Sequence, residues 1–211
     1  MDKYRETFET WNKIAPIYQE KFMDLELYNE TYNFLLDLLS HNQAMILDVG
    51  CGPGNISRYL LKKMPSLKLK GLDVSENMIA QYKENNPTAE SEIMDCRQLG
   101  ILKEPVGAIV CGFIIPYFSK EDTAKLISDC GKLLRDPALL YLSFVVGDYE
   151  KSGFMTSSSG DRIYFYYYTS DFIESVLEQA SFRIIRTFDV AYKTVNSSKD
   201  IHRILIAKRT L

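Results

Sequence analysis

Nine consecutive residues, Ile46-Leu47-Asp48-Val49-Gly50-Cys51-Gly52-Pro53-Gly54, have the types and spacing that let bare backbone hold a nucleotide-like ligand. Ile46, Leu47 and Val49 supply an apolar strand, while Gly50, Gly52 and Gly54 permit positive φ and a close approach of main chain to a ligand. A helix follows at once. Asn55 or Ser57 is placed to cap it, and Ile56, Tyr59, Leu60 and Met64 fall on one face. Glycine-rich turns between strand and helix serve dinucleotide, flavin and phosphate sites alike, so the details decide. A dinucleotide fingerprint reads G-x-G-x-x-G, with the third glycine packing helix on strand and the helix start facing a pyrophosphate. Here the third glycine comes one residue early, Pro53 removes an amide donor, and Asp48 places a carboxylate toward the ligand. No G-K-[ST] follows, which excludes a P-loop.

An anion would avoid the Asp48 carboxylate, whereas a ligand carrying an ammonium and a sulfonium gains from it, because a partly desolvated ion pair is stronger than one in bulk water. Other apolar runs end in the same manner. Leu69 to Asp73 closes on an acid, and Ser75 then starts a helix with Met78, Ile79 and Tyr82 on one face. Glu92 to Cys96 exits through Asp95, and the buried run Ala108 to Phe113 ends in Gly112-Phe113. Asp48, Asp73, Asp95 and Gly112 thus stand in order on the edge where open α/β sheets bind ligands.

These residues resemble the class I S-adenosylmethionine-dependent methyltransferases, whose first motif, [DE]-x-G-x-G-x-G, matches Asp48 to Gly54. The resemblance is strong over residues 44–146 and looser beyond. It implies S-adenosyl-L-methionine as cofactor, with Asp73 accepting both ribose hydroxyls, Asp95 on the adenine amino group, and Gly112 and Phe113 beneath the methionine portion. Gly50, Cys51, Gly52, Gly54, Val74, Met78 and Cys96 complete the cofactor-binding set. In similar enzymes an N-terminal segment folds over the cofactor. Tyr18, in the stretch Trp11-x-x-x-Ala15-x-x-Tyr18, is the aromatic expected at the sulfonium, held by cation–π attraction.

The elements that must position these residues follow from periodicity. The expected fold is α/β: a Rossmann-like, seven-stranded, mostly parallel sheet with a C-terminal antiparallel hairpin and helices on both faces. Residues 1–211 read as one domain, with an N-terminal helical cap (1–40), a cofactor-binding core (44–146), a substrate-side lid (147–168) and a C-terminal helix and hairpin (169–211). In the cap, Tyr4, Phe8, Trp11, Ile14, Tyr18 and Phe22 recur at helical spacing, with an interruption expected near Pro16. Ser119 opens a helix with Asp122 at the capping-box position, its stripe is Leu126, Ile127, Cys130, Leu133 and Leu134, and Asp136-Pro137 stops it. Ala138 to Val146 is the fifth strand, and a helix begins at Asp171. Phe182 to Val190 and Ile201 to Ala207, joined by a polar loop at 193–200, are too close for a helical crossover and pair antiparallel. In the lid, Tyr164, Tyr166 and Tyr168 share one strand parity and Phe165 and Tyr167 the other, so one set faces the core and one a ligand. The segment is expected to be mobile, and Arg162 is available to an anionic substrate group or to a surface ion pair.

The chain has 211 residues, a net charge of −3 and interspersed acids and bases, without the basic stripe of a nucleic-acid groove. In place of the [DN]-P-P-[YF] of nucleic-acid amino-methylating relatives it carries Ile115-Pro116-Tyr117. Nucleic acid and membrane partners are therefore not expected, and a small-molecule substrate is. Four cysteines, at 51, 96, 111 and 130, have no metal or C-x-x-C spacing and read as reduced, which fits a cytoplasmic protein without a bound metal. The two histidines, His41 and His202, are expected to be structural, because neither is placed at a ligand-side strand end. If the acceptor must lose a proton, Tyr18 and Tyr117 are the candidates, and both need tuning from a phenol pKa near ~10. The reading is methyl transfer to a small molecule by in-line displacement. A cofactor-binding partner protein without catalysis, a protein-directed methyltransferase and, less well matched, a dehydrogenase stand beside it. The acceptor atom and the oligomeric state stay open.

Overall fold

The computed structural model describes residues 3–39, 45–157, 160–193 and 199–210. His41 and the centre of the loop expected at 193–200 lie outside the described residues. The helices are α1 (Lys3–Phe22), α2 (Asn29–Leu39), α3 (Asn55–Lys63), α4 (Glu76–Asn85), α5 (Lys120–Leu133) and α6 (Ser170–Gln179). The strands are β1 (Ile46–Val49), β2 (Leu69–Asp73), β3 (Glu90–Ile93), β4 (Val106–Cys111), β5 (Leu134–Val145), β6 (Gly153–Thr156), β7 (Arg162–Phe165), β8 (Phe182–Lys193) and β9 (Lys199–Arg209).

Seven strands form one sheet in the order β3-β2-β1-β4-β5-β9-β8. The first five are parallel neighbours, and β9 runs antiparallel to both β5 and β8. This is the architecture expected from the sequence. Side chains alternate across it: Leu47, Val49, Ile109 and Cys111 pack with α5 and α6, while Ile46, Ala108 and Val110 pack with α2 and α3. Both faces are covered, which is why the parallel strands read as continuous apolar runs. Chain order reverses between β1 and β4, so a crevice opens at their carboxyl ends, where ligands enter open α/β sheets. No helix among the described residues is long and apolar enough to cross a membrane.

Several local expectations are corrected. Pro16 does not interrupt α1, which runs unbroken from Lys3 to Phe22. A proline leaves the carbonyl four residues earlier without its helical donor; here that carbonyl, Asn12 O, accepts from Asn77 Nδ2 at 2.8 Å instead. The break comes after Phe22, and α2 then packs Leu35, Leu36 and Leu39 against the sheet, so of the expected 1–40 cap it is α1 and the turn carrying Leu25 and Tyr28 that reach the cavities. Neither Asn55 nor Ser57 caps α3; the cap position is Gly54 at φ +86°, and Ser57 turns inward. α5 ends at Leu133, before Asp136-Pro137, because Leu134 already pairs with Val106. The ladder then shifts register, and Ala138, at φ +56°, turns the chain back into β5.

Candidate active site

The turn after β1 is pinned to β2, since Gly50 N and Cys51 N donate to Leu72 O at 2.8 and 2.9 Å. Its three glycines adopt φ of +70°, +54° and +86°, the left-handed region that disfavours side chains. They differ in surroundings. A Cβ at Gly50 would lie 2.6 Å from Ile114 Cδ1, and one at Gly54 2.1 Å from Asn86 Nδ2. At Gly52 the nearest atoms are Tyr18 Cε1 at 3.7 Å and Met78 Sδ at 3.9 Å, so this glycine borders open space.

That space is a cavity of about 670 Å³, its mouth included. Gly50 and Gly52 form one side, Asp73, Val74 and Met78 the next, Asp95 and Cys96 another, and Gly112, Phe113 and Tyr117 the far side, with Tyr18 above. The sequence therefore placed most of the lining. Asp73 closes β2 with its carboxylate accepting from Gly52 N and Ser75 N, each at 2.9 Å, so one acid orients both the glycine turn and the start of α4. Burial raises its pKa, against those amide bonds. Asp95 caps the short turn at 96–101 and is held by the Arg97 guanidinium, whose Nε lies 3.0 Å from each carboxylate oxygen. Phe113 leaves β4 at φ +61° with its amide donating to Ser143 Oγ at 2.7 Å, and a side chain on Gly112 would strike Ile56.

Asp48, Cys51 and Gly54 do not line the cavity. Asp48 is 2% exposed and accepts from Ser57 Oγ at 2.6 Å; Tyr82 donates to the same hydroxyl at 3.0 Å. It stands behind the glycine turn rather than facing the cavity, and burial raises its pKa to about 7.

α1 forms the roof. Asn12 Oδ1 accepts from Ser75 Oγ and Asn77 N at 2.8 and 3.0 Å, beside Asp73. Tyr4 donates to Asp122 and accepts from Ser119 N at the start of α5. The two-stranded β6–β7 hairpin is fastened to the same helix: Thr10 Oγ1 donates to Arg162 O at 2.7 Å, and Tyr164 N donates to Thr7 Oγ1 at 2.9 Å. Arg162 makes a two-pronged pair with Glu6, at 2.6 and 3.0 Å, so its charge is committed to the roof rather than offered to an anionic substrate. Tyr166 and Tyr168 are buried in the core, while Phe165 and Tyr167 border a second cavity, as their parity required.

This second cavity, about 1,230 Å³ with its open space, adjoins the first and shares Trp11, Tyr18, Phe113 and Tyr117 with it. His202 is on its wall, contrary to the sequence-based placing. The reason is topological: β9 runs antiparallel, so its beginning meets the carboxyl end of β5, with His202 opposite Val145. Phe8, Trp11, Ile114 and Phe118 also line the first cavity. Phe8 and Trp11 were visible in the helical stripe, but core packing explains such a stripe equally well.

Tyr18 and Tyr117, the candidate bases, are pushed above the ordinary phenol range by burial, Tyr18 further by the charges of Asp73 and Asp48. Both phenols therefore hold their protons more tightly than a free tyrosine does. Among the described residues, no Lys or Arg lines the first cavity, whereas two carboxylates and six aromatic rings do. Such a surface suits a cationic ligand with hydroxyls and an apolar stem and opposes a phosphate.

The chain is similar to known proteins in the way this geometry leads one to expect. Residues 46–137 match the family model described as "Methyltransferase domain". A trans-aconitate 2-methyltransferase of Variovorax paradoxus is 42% identical over 52 residues, 25% of this chain and 20% of that protein. A tRNA N(3)-methylcytidine methyltransferase of Schizosaccharomyces pombe is 22% identical over 100% of this chain and 92% of its own length. This chain spans between 20% and 55% of the length of several curated relatives that it matches. Among solved structures, the magnesium protoporphyrin IX methyltransferase of Synechocystis PCC 6803 with bound S-adenosylmethionine superposes with a TM-score of 0.73 at 18% identity, covering 100% of this chain and 98% of that one. Relatives thus act on small molecules and on tRNA, and kinship does not select between acceptors or uphold the expected exclusion of nucleic acid. Residues 46–137 are a methyltransferase domain, carried on the fold of the class I S-adenosylmethionine-dependent methyltransferases.

Proposed function

We propose that this protein transfers a methyl group from S-adenosylmethionine to a small-molecule acceptor, with the donor in the cavity under α1 and the acceptor in the cavity beside it. The observation that carries this reading is the shared wall of Trp11, Tyr18, Phe113 and Tyr117, where ligands in the two cavities would meet. S-adenosylmethionine, when bound, supplies a methyl activated by the adjacent sulfonium. In this assignment Asp73 accepts from the ribose hydroxyls with the oxygen lone pairs that its two amide bonds leave free. Asp95 accepts from the adenine amino group, and Gly112 and Phe113 lie along the methionine portion. Tyr18, protonated and beside Trp11 at a centroid distance of 5.4 Å, contributes ring faces to the cationic centre. Asp48, held by Ser57, supports the glycine turn from behind. The roof of α1 and the β6–β7 hairpin keeps water from the shared wall and fixes the approach of the acceptor, which is where such enzymes obtain most of their rate.

Calorimetry with S-adenosylhomocysteine and with NAD, followed by turnover of methyl-labelled cofactor against a metabolite extract and against unmodified tRNA, tests the proposal. Binding of the homocysteine product with label entering a small molecule is the expected result. Label in tRNA alone would overturn the acceptor assignment, and preference for NAD would overturn the reading as a whole.

A further inference from the structure

The second cavity has a chemical character of its own. Its rings come from separate elements: Tyr18 from α1, Tyr28 from the turn before α2, Phe113 after β4, Phe165 and Tyr167 from the lid, and Tyr192 from β8. A wall so rich in aromatic rings accepts a flat ring system by offset or edge-to-face stacking, contacts that an aliphatic chain does not make. Among the described residues charge is sparse and balanced, with Lys21 and Asp200 in the lining. A polyanion such as RNA or a tricarboxylate needs several cations and would find one among these residues.

Beside these rings stands an imidazole. Nδ1 of His202 lies 2.7 Å from the Tyr28 hydroxyl, and the imidazole stacks on Tyr192 at 4.8 Å and 12°, with Phe113 at 5.6 Å. The ring is therefore fixed in plane and in position, and among the described residues Nε2 has no hydrogen-bond partner. Tyr18, Tyr28, Tyr117, Tyr167, Tyr192, Lys21 and Asp200 are the titratable groups that line the cavity with it among the described residues. Burial lowers the His202 pKa, opposed by the Asp200 charge, so the ring is neutral near pH 7. The Tyr28 phenol is held well above its usual range by burial and remains un-ionised.

Resting on the methyltransferase reading, we propose that the second cavity binds a planar aromatic acceptor bearing a hydroxyl or ring N–H, and that His202 Nε2 takes the proton from that group. The acceptor oxygen or nitrogen forms its bond to the methyl carbon as the sulfur–methyl bond breaks; the electron pair of that bond stays on sulfur, giving the neutral thioether. The proton passes to Nε2, and the resulting imidazolium donates from Nδ1–H to the Tyr28 oxygen, with Asp200 nearby to offset its charge. The required neutral tautomer has the same Nδ1–H to Tyr28 bond, so no hydrogen bond has to reverse. Tyr28 is a positioning residue in this scheme.

The experiment has two readouts. Calorimetry of the S-adenosylhomocysteine-loaded protein is run with a panel of hydroxy- and amino-substituted naphthalenes and quinolines and, as the aliphatic comparison, trans-aconitate and citrate. Saturable binding of panel members at least about tenfold tighter than of the aliphatic acids is expected. If S-adenosylhomocysteine binds and no aromatic does, the acceptor class is overturned while the methyltransferase reading stands; if S-adenosylhomocysteine itself fails to bind, that reading is what falls. The panel member methylated fastest then serves for pH profiles. In the wild type, kcat/KM should decline toward acid with an apparent pKa below the usual histidine value. His202→Gln should lose about ten- to a thousandfold at neutral pH and lose that acid limb, with S-adenosylhomocysteine binding unchanged. Tyr28→Phe should move the acid limb with a smaller loss. An acid limb that persists unaltered in His202→Gln would remove His202 from the chemistry.

Discussion

The three glycines of the turn after β1 are equivalent as sequence letters and unequal in space, which permits a test with matched substitutions. Gly52→Ala forces a Cβ onto a residue at φ +54°, and an L-residue in the left-handed region costs roughly 1–2 kcal/mol. The Cβ itself meets nothing closer than 3.7 Å, so packing adds little, and the smaller entropy of the unfolded alanine chain returns about 0.4–1 kcal/mol. A net loss of at most about 1.5 kcal/mol is expected, and the variant should fold. Gly54→Ala carries the same strain at φ +86°, but its Cβ would lie 2.1 Å from Asn86 Nδ2 and 2.7 Å from Tyr82 Cδ2, both in buried side chains. Overpacking of that kind costs roughly 1–3 kcal/mol more. Denaturant melts should therefore separate the two by about 1–3 kcal/mol, with Gly54→Ala the weaker. Ligand binding should show the reverse contrast per unit of stability lost: Gly52→Ala projects into the space assigned to the cofactor and should weaken S-adenosylhomocysteine binding at least about tenfold while the fold stands. Wild-type affinity in a folded Gly52→Ala protein would refute the placement of ligand against this turn, and equal destabilisation of the two variants would refute the packing argument.

Asp73→Ala removes an acid that holds Gly52 N and Ser75 N as well as the proposed ribose, so calorimetry should show binding weakened by roughly 1.5–3 kcal/mol; an unchanged dissociation constant would dismiss the assignment. Asp48 is raised from 3.8 to about 7, so the folded state holds its proton more tightly than the unfolded chain does. The stability linked to it is fully present below pH 4 and is lost as pH climbs through 7, a change of about 4 kcal/mol at roughly 1.4 kcal/mol per tenfold proton activity. Asp48→Asn should flatten that decline in melts between pH 4 and 8, leaving the smaller slope that Asp73, shifted in the same direction, provides; a variant as pH-dependent as the wild type would contradict it. Arg162→Met removes the pair to Glu6 that joins the hairpin to α1, and amide exchange should rise in β7 and in α1 together, whereas a rise confined to the hairpin would show that the two do not move as one roof.

What the sequence disclosed and what it withheld divide along a physical line. The glycine turn, the acids closing β2 and β3, and the apolar strands are local patterns, and each fixes a backbone position without reference to the rest of the chain. The fold and most of the lining of the first cavity were legible for that reason. Asp48 shows the limit: the motif placed its carboxylate beside the ligand, but the direction of the side chain depended on Ser57, which turned inward to donate to it rather than capping α3. Pro16 shows the same limit in backbone form, since a helix break was averted by an amide 65 residues later in the chain, Asn77 Nδ2 on Asn12 O. Arg162 was legible as a charge and not as the partner of Glu6, 156 positions away.

His202 is the most instructive case, because the hairpin that carries it was recognised and its consequence for the site was not. In a parallel strand only the last residues reach the ligand edge; reversing one strand exchanges its ends, so the opening residues of β9 arrive at the carboxyl end of β5. The antiparallel hairpin that distinguishes this sheet therefore delivers to the wall of the second cavity, from the start of a strand, a side chain that a parallel strand could deliver only from its end. Searching for reactive residues at the beginning of such a strand, as well as at the ends of the parallel ones, would have found His202 without a structure. The same rule directs attention to Asp200, two residues earlier on β9 and also lining the second cavity, whose charge opposes the lowering of the His202 pKa by burial.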